Sequence, residues 1–193
     1  MKRKTLGILC CLLCAGLLAA QESESEDVYI EDSVYQMNQQ GDHQIKIDLA
    51  LQIPFRPSID KLKLGGGGSL GYMYFLTDWL LIGGDVSFSY APTIGSNQLT
   101  FIPVLFKAAA QFSVWRFEFP ITVGIGPVFQ NYLDRFYFGL AVKPSVGMYY
   151  RINPSWSVGL YCGLYVMPQW YTNPEYNYTA LIMDAGLSAR YHF

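Results

Sequence analysis

The chain's 193 residues include two histidines, His43 and His192, and a Ser–His nucleophile would have to be built on one of them. His43 stands just before the first patterned segment and His192 is the penultimate residue, places that suit an ordinary rim residue better than a catalytic base. Four carboxylates, Asp48, Asp85, Glu118 and Asp184, could supply a general acid and a general base. Lys46, Lys63, Lys107, Arg116, Lys143 and Arg190 accompany them at matching positions of the pattern. Mixed signs at that density read as a structural ion-pair network rather than a reactive pair. The GGGGS run at 65–69 could cradle a phosphate, but that chemistry needs a strand-to-helix turn and commonly a following Lys-Ser/Thr. Here the pattern continues through Leu70, Tyr72 and Tyr74, so the glycines read as room for curvature and bulky neighbours. Metal-ligand spacing is lacking, and Cys162 reads as a small hydrophobe. The residues predict no enzyme, no cofactor and no metal.

The elements that position these groups belong to a chain that is 51% hydrophobic, 16% aromatic and only 15% charged, against about 25% charged in an ordinary soluble domain. Outside the N-terminus no apolar run reaches the roughly 18 residues of a membrane-spanning helix. A net charge of −2 offers no polybasic surface for nucleic acid. Abundant Tyr, Phe and Gly favour β-structure.

Lys2, Arg3 and Lys4, the apolar run Leu6 to Leu18 and the pair Ala19-Ala20 read as a secretory signal over residues 1–20, too short to cross a bilayer. Lipoprotein processing at Cys14 competes with it, although Leu13 stands where that processing wants a small residue. Residues 21–42 hold seven carboxylates and no Lys or Arg, the composition of an acidic, flexible periplasmic leader. Beyond the signal only Cys162 remains, which leaves no internal disulfide.

From His43 the period is two. In HQIKIDLALQIPF the positions Ile45, Ile47, Leu49, Leu51, Ile53 and Phe55 are apolar, with Gln44, Lys46, Asp48 and Gln52 between them, so one face is greasy and the other wet. The alternation recurs at roughly 63–76, 79–90, 100–112, 115–127, 136–150, 156–167 and 178–193. Thr77-Asp78, Ser113-Val114 and Arg151 to Ser155 are short turn signals, and the other four connections run about seven to ten residues. That wiring predicts an up-and-down meander. Asp78, Ser113 and Asn153 fall in the periplasm and Ser58, Ser96, Asp134 and Asn173 outside.

Parity also assigns faces. The ten ionisable side chains named above share the polar face with Gly and Ser, which suits a crowded eight-strand interior. Aromatics mark both ends of the apolar face: Trp115, Tyr150, Trp156, Tyr191 and Phe193 at the short-turn end, Phe55, Phe88, Tyr90 and Phe136 at the other. These are interfacial girdles. A closed barrel satisfies every backbone group in hydrocarbon. The prediction is therefore an all-β fold, an eight-stranded antiparallel up-and-down transmembrane β-barrel over residues 43–193. Its lumen is filled by the charge network and by Tyr137, Tyr149, Tyr161 and Tyr165. Leu164 faces lipid, so Leu164→Arg is expected to cost more than the lumenal change Gly163→Ser.

The last strand ends in Tyr191 and Phe193, which resembles the C-terminal signal that bacterial outer-membrane proteins present to their insertion machinery. The resemblance implies that machinery as a transient partner. GYMYFLTDWLLIGGD, PVLFKAAAQF, FEFPITVGIGPVF, YYRINPSWSVGLY and GLSARYHF resemble the OmpW family of small outer-membrane barrels. That resemblance implies a cell outer-membrane location, lipid as the surrounding partner and passage of small hydrophobic molecules. The short outer connections depart from the family, and Val128 to Arg135 leaves no room for a helical insert. Two functions stay open: a narrow channel for small or hydrophobic solutes or an envelope component, and a surface-exposed interaction barrel acting through loops such as PQWYTNPEYN at 168–177.

Overall fold

The computed structural model describes residues 29–30, 33–34, 38–56, 62–93, 97–132, 135–170, 175 and 177–193. The expected signal at 1–20, much of the leader, and the outer markers Ser58, Ser96, Asp134 and Asn173 lie outside them. Two units are present. In the first, Met1–Tyr35, the pair Tyr29–Ile30 runs antiparallel to Ser33–Val34. The second, Gln36–Phe193, holds the barrel.

Eight strands build it: β1 His43–Arg56, β2 Gly65–Phe75, β3 Leu80–Pro92, β4 Gln98–Val114, β5 Phe117–Tyr132, β6 Arg135–Asn153, β7 Trp156–Gln169 and β8 Tyr178–His192. Each pairs antiparallel with its sequence neighbour, and β8 pairs with β1 to close the sheet. Closure leaves no free edge along the seam: Leu187 lies opposite Leu49 and His192 opposite Gln44. His43 and Phe193 then exchange backbone hydrogen bonds of 2.9 and 3.0 Å. The up-and-down order follows from the short connections, because antiparallel neighbours can be joined by two residues.

The apolar face points out. Leu49, Leu187 and Phe136 are 68%, 64% and 69% exposed, an arrangement tolerable only in hydrocarbon. The barrel is transmembrane. At the short-turn end Trp115, Phe117 and Tyr150 form one ring cluster, and Trp156, Tyr191 and Phe193 another. Both suit the headgroup level, where an aromatic body meets lipid and its polar edge meets water.

Two expectations are corrected. The second short turn is Trp115-Arg116 rather than Ser113-Val114, since Val114 still pairs with Phe117. Trp115 takes a φ of 54° there, the left-handed value that a two-residue hairpin demands. Second, the connection read as Val128 to Arg135 is mostly strand: β5 runs to Tyr132 and β6 starts at Arg135. Loop lengths therefore do not alternate strictly, because the strands extend further at the outer end than the apolar pattern does. The last residues read as leader are hydrogen-bonded to the barrel. Gly41 N donates to Phe75 O, Phe75 N donates to Asp42 O, and Gln40 N donates to Asp78 Oδ1, which straps residues 38–42 to the short-turn end.

The lumen as candidate functional site

Eight of the ten predicted network residues lie in the lumen. In its middle, Asp48 accepts from Lys46 at 2.7 Å and from Ser69 at 2.6 Å. Lys107 pairs with Asp85. Lys143 pairs with Asp184 at 2.6 Å and donates to the Tyr165 hydroxyl at 3.1 Å. Tyr161 stands between two ammonium groups, its ring 5.2 Å from Lys46 Nζ and 5.5 Å from Lys143 Nζ, and its hydroxyl donates to Asp184. Each carboxylate thus has a cation beside it, the condition for holding charge in a narrow interior.

Lys63 and Arg116 do not join this network, which corrects the sequence reading. Lys63 is exposed ahead of β2, and Arg116 sits in a turn with its guanidinium over the Trp115 ring. Both share the parity of lumenal residues but lie beyond the strand ends, where parity no longer decides direction.

Near the short-turn end, the base, Glu118 has no exposed surface. It accepts from Arg151 Nε at 2.8 Å and Nη2 at 2.5 Å, with Arg190 at 3.6 Å from its other oxygen. Arg190 also donates to Gln111 and lies over the Tyr149 ring. Asn38, from the strap, fills the remaining space: its Oδ1 accepts from Arg151 at 2.6 Å and its Nδ2 donates to Glu118 and Ser113. Arg151 and Asn38 are the residues that the sequence reading misses. Continuing the odd parity of Tyr149 one step would have reached Arg151, whereas Asn38 precedes all alternation.

His192 is likewise no rim residue; it is 3% exposed. Its Nε2 lies 2.9 Å from Ser157 Oγ and its Nδ1 lies 3.1 Å from Arg151 Nη2. The pair has the spacing of a Ser–His dyad but the wrong polarity. A guanidinium only donates, so Nδ1 must accept and the ring proton resides on Nε2, where it donates to Ser157. A base that already holds its proton toward the serine cannot activate it. In a working triad a carboxylate occupies the place that Arg151 takes here.

The outer half of the lumen carries an apolar cluster beside the buried Ser89 and Gln130, where the sequence places the polar face. Phe101, Leu105, Val128, Met167 and Ile182 form one buried cluster with Leu62 and Tyr165. Phe101 and Leu105 share a face with Lys107, and Ile182 with Asp184, because an interior this narrow is filled by whatever side chain points into it. A smaller cluster of Met73, Phe75, Leu81 and Ala109 fills one side of the base.

A protein-family model matches residues 21–191. The chain belongs to that family. A relative from Treponema pallidum (strain Nichols), whose printed name is "Uncharacterized protein", is 34% identical over 133 residues, covering 69% of this chain and 61% of that protein. The chain thus spans about three fifths of that relative's length. Among solved structures, Neisserial surface protein A is similar with a TM-score of 0.65 at 11% identity, over 80% of this chain and 100% of that one. The outer membrane protein OprG of Pseudomonas aeruginosa is similar with a TM-score of 0.51 at 9% identity, over 81% and 98%. At such identities the likeness is one of fold: a small closed barrel.

Proposed function

We propose that this chain is an outer-membrane barrel with a sealed lumen, an envelope component that works through the surface it presents and not as a pore. The observation that carries this is the stacking of three fillings along one axis. Phe101, Val128 and Ile182 have no exposed surface in the outer half; the Lys–Asp pairs occupy the middle, and Glu118, Arg151, Arg190 and Asn38 occupy the base. Opening a path would break buried ion pairs at two levels, a cost of about 3–5 kcal/mol for each partner lost. The apolar outer filling does not favour a channel for hydrophobic solutes, since its side chains pack on one another instead of lining a void. The OmpW-like segments lie largely in strands and short turns and support kinship of architecture. Tyr191 and Phe193, exposed beside Trp156 at the base, are kept as the insertion signal, and residues 1–20 as the export signal. Polarity at the Ser157–His192 pair supports a role without catalysis.

The test is conductance of the purified full-length barrel in a planar bilayer. The expected trace carries no stable channel steps. Steady, ion-selective conductance of porin size would overturn the proposal.

A further inference from the structure

The two ring clusters at the short-turn end differ in charge. Among the described residues no cation lies over Trp156, Tyr191 or Phe193. The other cluster has Arg116, in the hairpin that joins β4 to β5, with its guanidinium 5.8 Å from the Trp115 ring. Trp115 in turn lies 6.2 Å from Phe117 and 6.3 Å from Tyr150, and Phe117 lies 5.3 Å from Tyr150. The backbone of this turn is tied to the barrel, because Arg116 O accepts from Arg151 N at 2.8 Å. Its polar side chains are not. Among the described residues no carboxylate pairs with Arg116, and no side chain accepts from the Trp115 indole or the Tyr150 hydroxyl. Glu118, the nearest carboxylate in sequence, is buried in the lumen and holds Arg151 and Arg190. Three donors, one of them charged, thus stand together at headgroup depth. From there the outer wall continues in aromatic side chains: Phe117 stacks on Phe119 at 6.4 Å, and Phe119 lies opposite Phe112, which is 52% exposed.

We infer that the wall around Arg116 is a binding site for one anionic phospholipid. Its phosphodiester sits on the Arg116 guanidinium, Trp115 and Tyr150 donate to phosphate or ester oxygens, and an acyl chain lies along Phe117 and Phe119. A guanidinium suits a phosphate by a charge-assisted fork, and indole and phenol present an apolar body to the chain and a polar tip to the head. A headgroup that adds an ammonium finds no carboxylate here, and Arg116 already lies over the Trp115 ring that could hold it. Free phosphate would use Arg116 and leave the aromatic run along β5 without a partner. The site is on the outer wall, so it stands whether or not the lumen is sealed.

Native mass spectrometry of the full-length protein in detergent, titrated with phosphatidylglycerol or with phosphatidylcholine of the same chains, tests it. One phosphatidylglycerol should be retained saturably and about fivefold more tightly than phosphatidylcholine. Arg116→Gln should remove that preference and Arg116→Lys should restore part of it. Arg56→Gln, an exposed cation at the opposite end, should leave it unchanged. Phe119→Ala should weaken both lipids alike, since it touches the chain and not the head. All variants should retain wild-type urea unfolding in lipid vesicles, which separates a lost site from a lost fold. Glycerol phosphate, which has the head without the chains, identifies the source. Failure to displace the lipid at equal concentration assigns the membrane, and displacement overturns the lipid in favour of a soluble phosphate. Equal retention of the two lipids, an unaltered Arg116→Gln, or an equal loss in Arg56→Gln overturns the site.

Discussion

Glu118 is the carboxylate on which two guanidiniums and an amide of the base converge. Glu118→Gln keeps the shape and removes the charge, leaving Arg151 and Arg190 buried side by side without a counter-ion. Urea unfolding in lipid vesicles should show a loss of about 3–5 kcal/mol. Asn38→Ala removes an acceptor from Arg151 and donors from Glu118 and Ser113, with an expected loss of about 1–3 kcal/mol. A wild-type midpoint for Asn38→Ala would mean that the strap merely rests on the barrel. The two residues differ in how visible they are beforehand. Glu118 stands on the polar face by parity, so its place follows from the alternation. Asn38 takes a φ of 61° and meets partners up to 113 positions away, and nothing local in the sequence encodes that meeting. Arg151 is intermediate: the turn-like run RINPS hides it, although its odd number matches Tyr149 and Lys143.

At the scale of the strand, β7 puts both faces to the test within four residues. Leu160 is exposed to lipid and pairs with Met148 and Leu187. Leu160→Arg should cost about 2–4 kcal/mol in the bilayer. Gly163 faces the lumen, where a serine, expected to be milder than an arginine on the lipid face, still meets a crowded interior. A Cβ would stand 2.7 Å from Asp184 Oδ1 and 2.9 Å from Lys143 Cε, so Gly163→Ser must push apart the pair that fills the middle. Overpacking of that kind costs about 1–3 kcal/mol, measurable by the same vesicle unfolding. A neutral Gly163→Ser would show that the Lys143–Asp184 pair can shift without loss. Alternation says which side of a strand a residue takes; it does not say how much room is left there. That is why strand positions were readable from sequence and the crowding at Gly163 was not.

For the whole barrel, the meander places His43, Phe193 and the turns after β2, β4 and β6 on one side. With Cys162→Ala as background, Asn97→Cys should react with an impermeant maleimide on intact cells, and Asn153→Cys only after lysis. Reversed labelling would invert the barrel. Strand count, order and sidedness of the apolar belt follow from period-two patterning, because lipid imposes one rule on every outward position. The lumen obeys no such rule. Its fillings depend on which residues from distant strands arrive at the same height, as Phe101, Met167 and Ile182 do. The sequence therefore shows a polar face where the fold sets an apolar cluster beside Ser89 and Gln130.

The base network also has a history. Asn38 precedes β1, His192 closes β8, and Arg151 touches both. While the nascent sheet lacks β8, Arg151 has neither His192 nor a neighbouring Arg190, and Ser157 has no imidazole to meet. The socket can set only after the final hairpin has been laid against the first strand. An assembling barrel would thus stay protease-sensitive at its strap until the seam closes, and then become resistant in one step. Resistance of the segment around Asn38 would be a clock for insertion, reading the moment at which the last strand arrives.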